Sequence, residues 1–121
     1  KYELRIFYIN GKMYPMATFS QKDNQTQLDF RNYNWEKPNR MEPCKLNVDL
    51  KKKIRKLMSS LHLNCGSIDL IVAKDGKTYF LEVNPTGQFG MVDFPCNYGL
   101  HKIVAEELIK MDNYGFKNKI I

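Results

Sequence analysis

Cysteine is scarce in this sequence, and what there is does not pair. The 121 residues hold three cysteines, Cys44, Cys65 and Cys96. The number is odd and no C-x-x-C spacing occurs, which excludes a disulfide scaffold and a cysteine-rich zinc site. Free thiols in a reducing cytoplasm are the expected state. Histidine is scarcer still: His62 and His101 have no His or Cys at ligand spacing and read as surface or packing residues. No apolar run approaches the roughly 20 residues that span a bilayer, and no signal-peptide pattern opens the chain, so no membrane partner is expected. Low-complexity segments are absent, as are repeats beyond two strand-turn-strand units.

What remains is an ordinary globular composition, 43% hydrophobic and 26% charged, of a length that suits one small domain with a modest core. The chain enters a strand-like run directly at Lys1, so a piece of something longer is expected. Nineteen Lys and Arg against thirteen Asp and Glu give a net charge of +6, which suits an anionic partner. Much of the excess lies in Lys51-Lys52-Lys53, Arg55 and Lys56, which reads first as the solvated side of a helix.

Hydrophobic spacing predicts an α+β domain. Tyr2, Leu4, Ile6 and Tyr8 alternate with Glu3, Arg5 and Phe7, giving a strand with one apolar face. Asn10-Gly11 signals a tight hairpin, and Met13 to Phe19 is the return strand. Pro15 places that strand at a sheet edge or at a bulge. Residues 20–47 are polar and irregular, yet Phe30, Tyr33 and Trp35 argue for a segment that folds over a ligand. Leu50, Ile54, Leu57, Met58 and Leu61 recur at helical spacing, so Asp49 to His62 is a helix capped by Asn47 or Asp49. Two strands follow, Ser67 to Ala73 and Thr78 to Asn84, joined through Asp75-Gly76. Thr86 to Asn97 reads as a loop. A second helix over Gly99 to Met111 buries Leu100, Ile103, Val104, Leu108 and Met111, and 112–121 is a frayed tail. The expected architecture is an antiparallel sheet of two β-hairpins with two helices packed on one face.

If the second hairpin turns between Asp75 and Gly76, Asp69 faces Glu82, and Asn84 shares their side two residues on. Directly opposed like charges destabilise a ladder. A hard cation resolves the conflict, because magnesium takes oxygen ligands and needs only one or two carboxylates. The alternative is a solvent-facing polar strand side with an incidental acidic pair. A one-residue slip would separate the set.

Gly66-Ser67-Ile68-Asp69, followed by Phe80-Leu81-Glu82-Val83-Asn84-Pro85, closely resembles the C-terminal lobe of the ATP-grasp superfamily. The resemblance implies that Asp69, Glu82 and Asn84 bind the magnesium ions, a pair of them, that bridge the ATP phosphates. Glu3-Leu4-Arg5-Ile6-Phe7 resembles the strand whose arginine reaches the phosphates or acyl phosphate, so Arg5 is a candidate for nucleotide binding and catalysis. Phe19-Ser20-Gln21, Asp29-Phe30-Arg31, Pro38-Asn39-Arg40, Asn84-Pro85-Thr86-Gly87-Gln88-Phe89 and Pro95-Cys96-Asn97-Tyr98 look like the microviridin-type (graspetide) peptide maturases, in particular their grasp-with-spasm branch. A substrate carboxylate would then be activated as an acyl phosphate and captured by a Lys amine or Ser/Thr hydroxyl of the same peptide. Arg31 is a candidate for holding that carboxylate through its bidentate fork, with Arg40 a weaker one. The implied partners are a precursor peptide and the N-terminal and central lobes of the same enzyme; a homodimer is allowed. Gly87 and Gly90 serve either close backbone approach or a turn, and Cys96 lacks a base that would make it a nucleophile.

Two rivals stand beside this reading. An ATP-grasp ligase that appends glutamate or another amino acid shares the metal triad and differs in its acceptor. A non-catalytic nucleic-acid module would use Lys51 to Lys56, but no aromatic platform accompanies them, so no nucleic acid is expected as a partner.

Overall fold

A computed structural model describes residues 2–19 and 40–117. Among these residues, one antiparallel sheet of order β3-β2-β1-β4-β5 carries three helices, as the α+β class requires. β1 (Tyr2–Ile9) and β2 (Lys12–Phe19) form the first hairpin, with Ile9 facing Lys12. Its turn residues Asn10 and Gly11 have φ of 48° and 82°. Positive φ at both central positions is what a type I′ turn demands, and Asn-Gly meets it at least steric cost. β4 (Cys65–Val72) then pairs with the free side of β1, and β5 (Thr78–Asn84) closes that end of the sheet.

The short β3 (Arg40–Pro43) pairs with β2 from Met16 to Phe19, so β2 is not an edge strand. Pro15 is tolerated because that ladder ends at Met16. The carbonyl of Pro15 accepts from Cys44 N (3.4 Å) and from the Tyr98 hydroxyl, so this residue's polar side, with its missing N–H, looks past the end of β3. The rest of the segment expected to fold over a ligand, residues 20–39 with Phe30, Arg31 and Trp35, lies outside the described residues.

The helices divide between the two faces instead of sharing one. Leu4, Ile6 and Tyr8 join Ile68, Leu70 and Val72 beneath α1 (Val48–Ser60), which contributes Ile54 and Met58. On the other face Phe7, Ile9 and Met16 are covered by Val92 of α2 (Gly90–Cys96) and Leu100 of α3 (Leu100–Lys117). The cause lies in β1. Its second face is polar only at Glu3 and Arg5, whereas Phe7 and Ile9, 1% and 3% exposed, each gain roughly 1.5–3 kcal/mol from burial. α1 is capped by Asn47, whose Oδ1 accepts from Leu50 N at 2.8 Å.

α2 occupies part of the expected loop, and α3 runs on to Lys117, through residues expected to fray. Leu108 and Met111 are 57% and 42% exposed, while Glu107, just before them in the helix, is buried. Lys12 Nζ and Asn10 Nδ2 both donate to Glu107, which fastens the tip of the first hairpin to α3.

Candidate active site

The second hairpin decides which side chains meet. Its loop is Lys74-Asp75-Gly76: Ala73 N donates to Lys77 O (2.8 Å), Gly76 N donates to Ala73 O (3.0 Å), and Gly76 takes φ of 82°. Three loop residues, not two, set Val72 opposite Thr78 and Leu70 opposite Phe80. Continued without interruption, that ladder would bring Leu81 opposite Asp69 and turn Glu82 toward the α1 face. A β-bulge at Leu81 intervenes, leaving that residue without a cross-strand partner, so that Asp69 faces Glu82 and Ser67 faces Asn84. The expected juxtaposition therefore holds, by two offsets that cancel.

β1 adds Arg5 directly across from Asp69 on the other side. Its Nε donates to Asp69 Oδ1 at 2.8 Å and its Nη2 to Oδ2 at 2.7 Å, a fork matched to both carboxylate oxygens. Nη1 reaches the Met91 sulfur of α2 at 3.2 Å. Asp69 is buried and Arg5 half-buried, while Glu82 and Asn84 open to solvent. After β5 the chain doubles back: Asn84 Oδ1 accepts from Thr86 N (3.1 Å) and Thr86 Oγ1 (3.2 Å), and Gly87 N donates to Asn84 O (3.1 Å). This return lays the Gly87 backbone on Ser67. A Cβ at Gly87 would stand 2.3 Å from Ser67 Oγ and 2.4 Å from Ser67 Cβ, so close approach is the reason for glycine here. Nothing lies within 4 Å of a Cβ at Gly90, which simply opens α2.

Together these groups line a cleft of about 290 Å³ beside α2, on the half of this face that α2 leaves open. Its carboxylates are Asp69 and Glu82 and its carboxamides Asn84 and Gln88; among the described residues no group of three or more His, Cys, Asp or Glu is assembled. An all-oxygen set of this size, with room for waters and phosphate oxygens, fits magnesium and does not fit zinc. Ser67 Oγ, also in the cleft wall, is buried and without a hydrogen-bond partner.

Of the site residues expected from sequence, the fold brings Arg5, Asp69, Glu82 and Asn84 together. Arg40 is not among them. It sits on β3 at the far edge of the sheet, its guanidinium 4.4 Å above the Phe19 ring and 3.7 Å from Glu42, with Phe19 packed into the α1 side. Arg31 lies outside the described residues. Burial pushes the Cys96 thiol up to about 11, with Cys44 and Asp93 adding to the shift, which keeps it protonated and rules it out as a nucleophile at neutral pH. His101 packs edge-on against Phe89 and meets Asp93 at 3.1 Å, the packing role expected of it. Sequence reasoning missed Ser67 and Met91. Ser67 was within reach, two residues before Asp69 on the same strand face; Met91 was not, because α2 was read as loop.

No family model and no curated protein matches the chain. Solved structures do. The RiPP-associated ATP-grasp ligase of Chryseobacterium gregarium, in complex with ADP and a leader and core peptide, is 30% identical with a TM-score of 0.72, over 78% of this chain and 28% of the ligase. The macrocyclase MdnC of Microcystis aeruginosa MRC, bound with precursor peptide MdnA, is 35% identical with a TM-score of 0.61, over 77% of this chain and 28% of the enzyme. The ATP-grasp ligase PsnB, complexed with a phosphomimetic variant of its minimal precursor, Mg and ADP, shares the fold at 14% identity with a TM-score of 0.74, over 90% of this chain and 32% of PsnB. In fold the chain is thus a counterpart of one section of the ATP-grasp ligases, spanning about a third of their length or less. In sequence it is similar, at 30% and 35% identity, to the RiPP-associated ligase and to the macrocyclase MdnC.

Proposed function

We propose that these residues form the metal-bearing C-terminal lobe of an ATP- and magnesium-dependent ligase that crosslinks side chains of a ribosomally made peptide. The carrying observation is the bulge at Leu81, which brings Glu82 and Asn84 to the side of Asp69 and Arg5. Relatives at 30% and 35% identity, one holding ADP and both holding peptides, support the substrate class. The lobes that grip base and ribose would lie elsewhere in the same enzyme.

Asp69, Glu82 and Asn84 would hold the metal, which when bound neutralises phosphate charge during transfer. The chain's own task is orientation. Arg5 fixes the Asp69 carboxylate through its fork while leaving a lone pair on each oxygen. The same guanidinium sets positive charge at the cleft, where a phosphoryl group transferred to a peptide carboxylate would be stabilised. Attack on the resulting acyl phosphate by an amine or hydroxyl of that peptide gives the amide or ester and releases phosphate.

Mass spectrometry of the complete enzyme with peptide, ATP and magnesium tests this. Each internal crosslink removes one water from the peptide, whereas an amino-acid-adding ligase would increase the peptide's mass. Glu82→Gln keeps size and shape on an exposed strand and should lower product formation at least about a hundredfold, with stability moved by no more than about 0.5 kcal/mol. Full turnover by that variant refutes the assignment.

A further inference from the structure

Among the described residues, Ser67 Oγ is the one buried side-chain polar atom without a hydrogen-bond partner. Ser67 is 4% exposed, and its place is built rather than accidental. It faces Asn84 across the β4–β5 ladder, it shares the cleft with Asp69 and Glu82, and the Gly87 backbone closes over it so tightly that position 87 has no room for a Cβ. Buried hydroxyls almost always find a partner, so one that has none points to a state in which it does.

Asn84 supplies that state. Its Oδ1 is presently occupied by the backbone and hydroxyl of Thr86. To ligate a cation the same oxygen must turn toward the cleft, and a carboxamide that turns its oxygen to a metal turns its NH2 away and needs an acceptor for it. Asp69 and Glu82 would themselves be facing the cation. Across the strand, Ser67 Oγ is unspent. Resting on the metal reading above, we infer that Ser67 is a positioning residue for Asn84: its hydroxyl accepts from Asn84 Nδ2 in the metal-loaded site and so holds Oδ1 toward the ion.

The role has an unusual signature. A hydroxyl that merely supported the fold would destabilise the protein when removed. An unspent one should do the reverse in the metal-free protein while weakening its grip on the ion. The test uses the complete enzyme and Mn²⁺ as the paramagnetic probe, titrated with ATP present and followed by electron paramagnetic resonance. The variants are Ser67→Ala, Asn84→Ala and their double, with thermal melts of each without metal. Ser67→Ala should raise the metal-free melting temperature and weaken Mn²⁺ binding about tenfold, as loss of a hydrogen bond behind a ligand does. In the Asn84→Ala background it should weaken Mn²⁺ no further. Unchanged Mn²⁺ affinity in Ser67→Ala, equal weakening in both backgrounds, or a lowered melting temperature overturns the assignment. Glu82→Gln is the separate control. If Mn²⁺ affinity ignores that substitution, or the unsubstituted protein binds no Mn²⁺, the metal reading itself falls and Ser67 with it.

Discussion

Arg5 and Asp69, neighbours across β1 and β4, are joined by two parallel hydrogen bonds of 2.8 and 2.7 Å, with side chains only 13% and 11% exposed. Taking either charge away strands the other in a half-buried site, which costs about 1–3 kcal/mol. Arg5→Gln and Asp69→Asn should therefore each destabilise, and their double variant should fall short of the sum by about 0.5–3 kcal/mol. Urea unfolding of the four proteins measures this. Additive losses would mean that the pair contributes nothing to stability. Arg5→Lys should behave more like Arg5→Gln than like the natural protein, because an ammonium cannot span both oxygens.

The bulge in β5 separates positions that look equivalent in sequence. Phe80 belongs to the α1 face and Glu82 to the cleft face, with Leu81 unpaired between them. Deleting Leu81 would close the bulge and still leave Phe80 and Glu82 on opposite faces. Deleting Val83, two residues on, would instead send Asn84 to the α1 side. Divalent-ion binding should survive the first deletion and vanish in the second. Loss of binding in both would show that the bulge's added twist, and not sidedness alone, places the ligands.

Much of this was legible in the sequence, for reasons that also mark where legibility stopped. The Asn10-Gly11 hairpin, the α1 stripe and the strand carrying Glu82 and Asn84 announce themselves through local rules: turn chemistry, helical spacing and alternation. Asp69 opposite Glu82 was reached by assuming a two-residue loop. The true loop has three, and only the unpaired Leu81 restores the pairing, which no local rule reveals. α2 escaped because seven residues with Pro95 inside give too few turns for periodicity to register. Glu107 was passed over for Leu108 and Met111 because a charged residue reads as surface until its partners are known. Those partners, Lys12 and Asn10, lie about a hundred residues away in the chain.

Gly87 and Ser67 should show steric reciprocity. A methyl group at Gly87 would overlap both the Cβ and the Oγ of Ser67, at 2.4 and 2.3 Å, whereas the carbonyl of Asn84 stands farther off at 3.1 Å. Gly87→Ala should cost about 1–3 kcal/mol, as overpacking does. Ser67→Gly removes both clashing atoms and should recover most of that loss in the double variant, whereas Ser67→Ala leaves the Cβ contact and should recover little. Equal recovery by Gly and Ala at position 67 would place the collision elsewhere. Thermal melts of the five variants, Gly87→Ala, Ser67→Gly, Ser67→Ala and the two doubles, decide it.

The clasp between the first hairpin and α3 predicts a pH dependence of known sign. Hydrogen bonds from Lys12 and then Asn10 pull the Glu107 carboxyl from its ordinary 4.5 down to about 2. A carboxylate with a depressed folded-state value binds fewer protons folded than unfolded in that interval, so its stabilisation is complete above about 4.5 and is lost as pH falls toward about 2. Lys12, raised above its ordinary 10.5 chiefly by the Glu107 hydrogen bond, works in the opposite direction: its contribution is present below 10.5 and fades as pH climbs past that value. The clasp is accordingly at full strength across the neutral range. Glu107→Gln should lower the melting temperature at pH 7 and lose most of that effect near pH 2, where the natural side chain is about half protonated. The two melting curves should converge between those limits as pH is lowered. Parallel curves down to pH 2 would mean that Glu107 acts through its shape and not its charge.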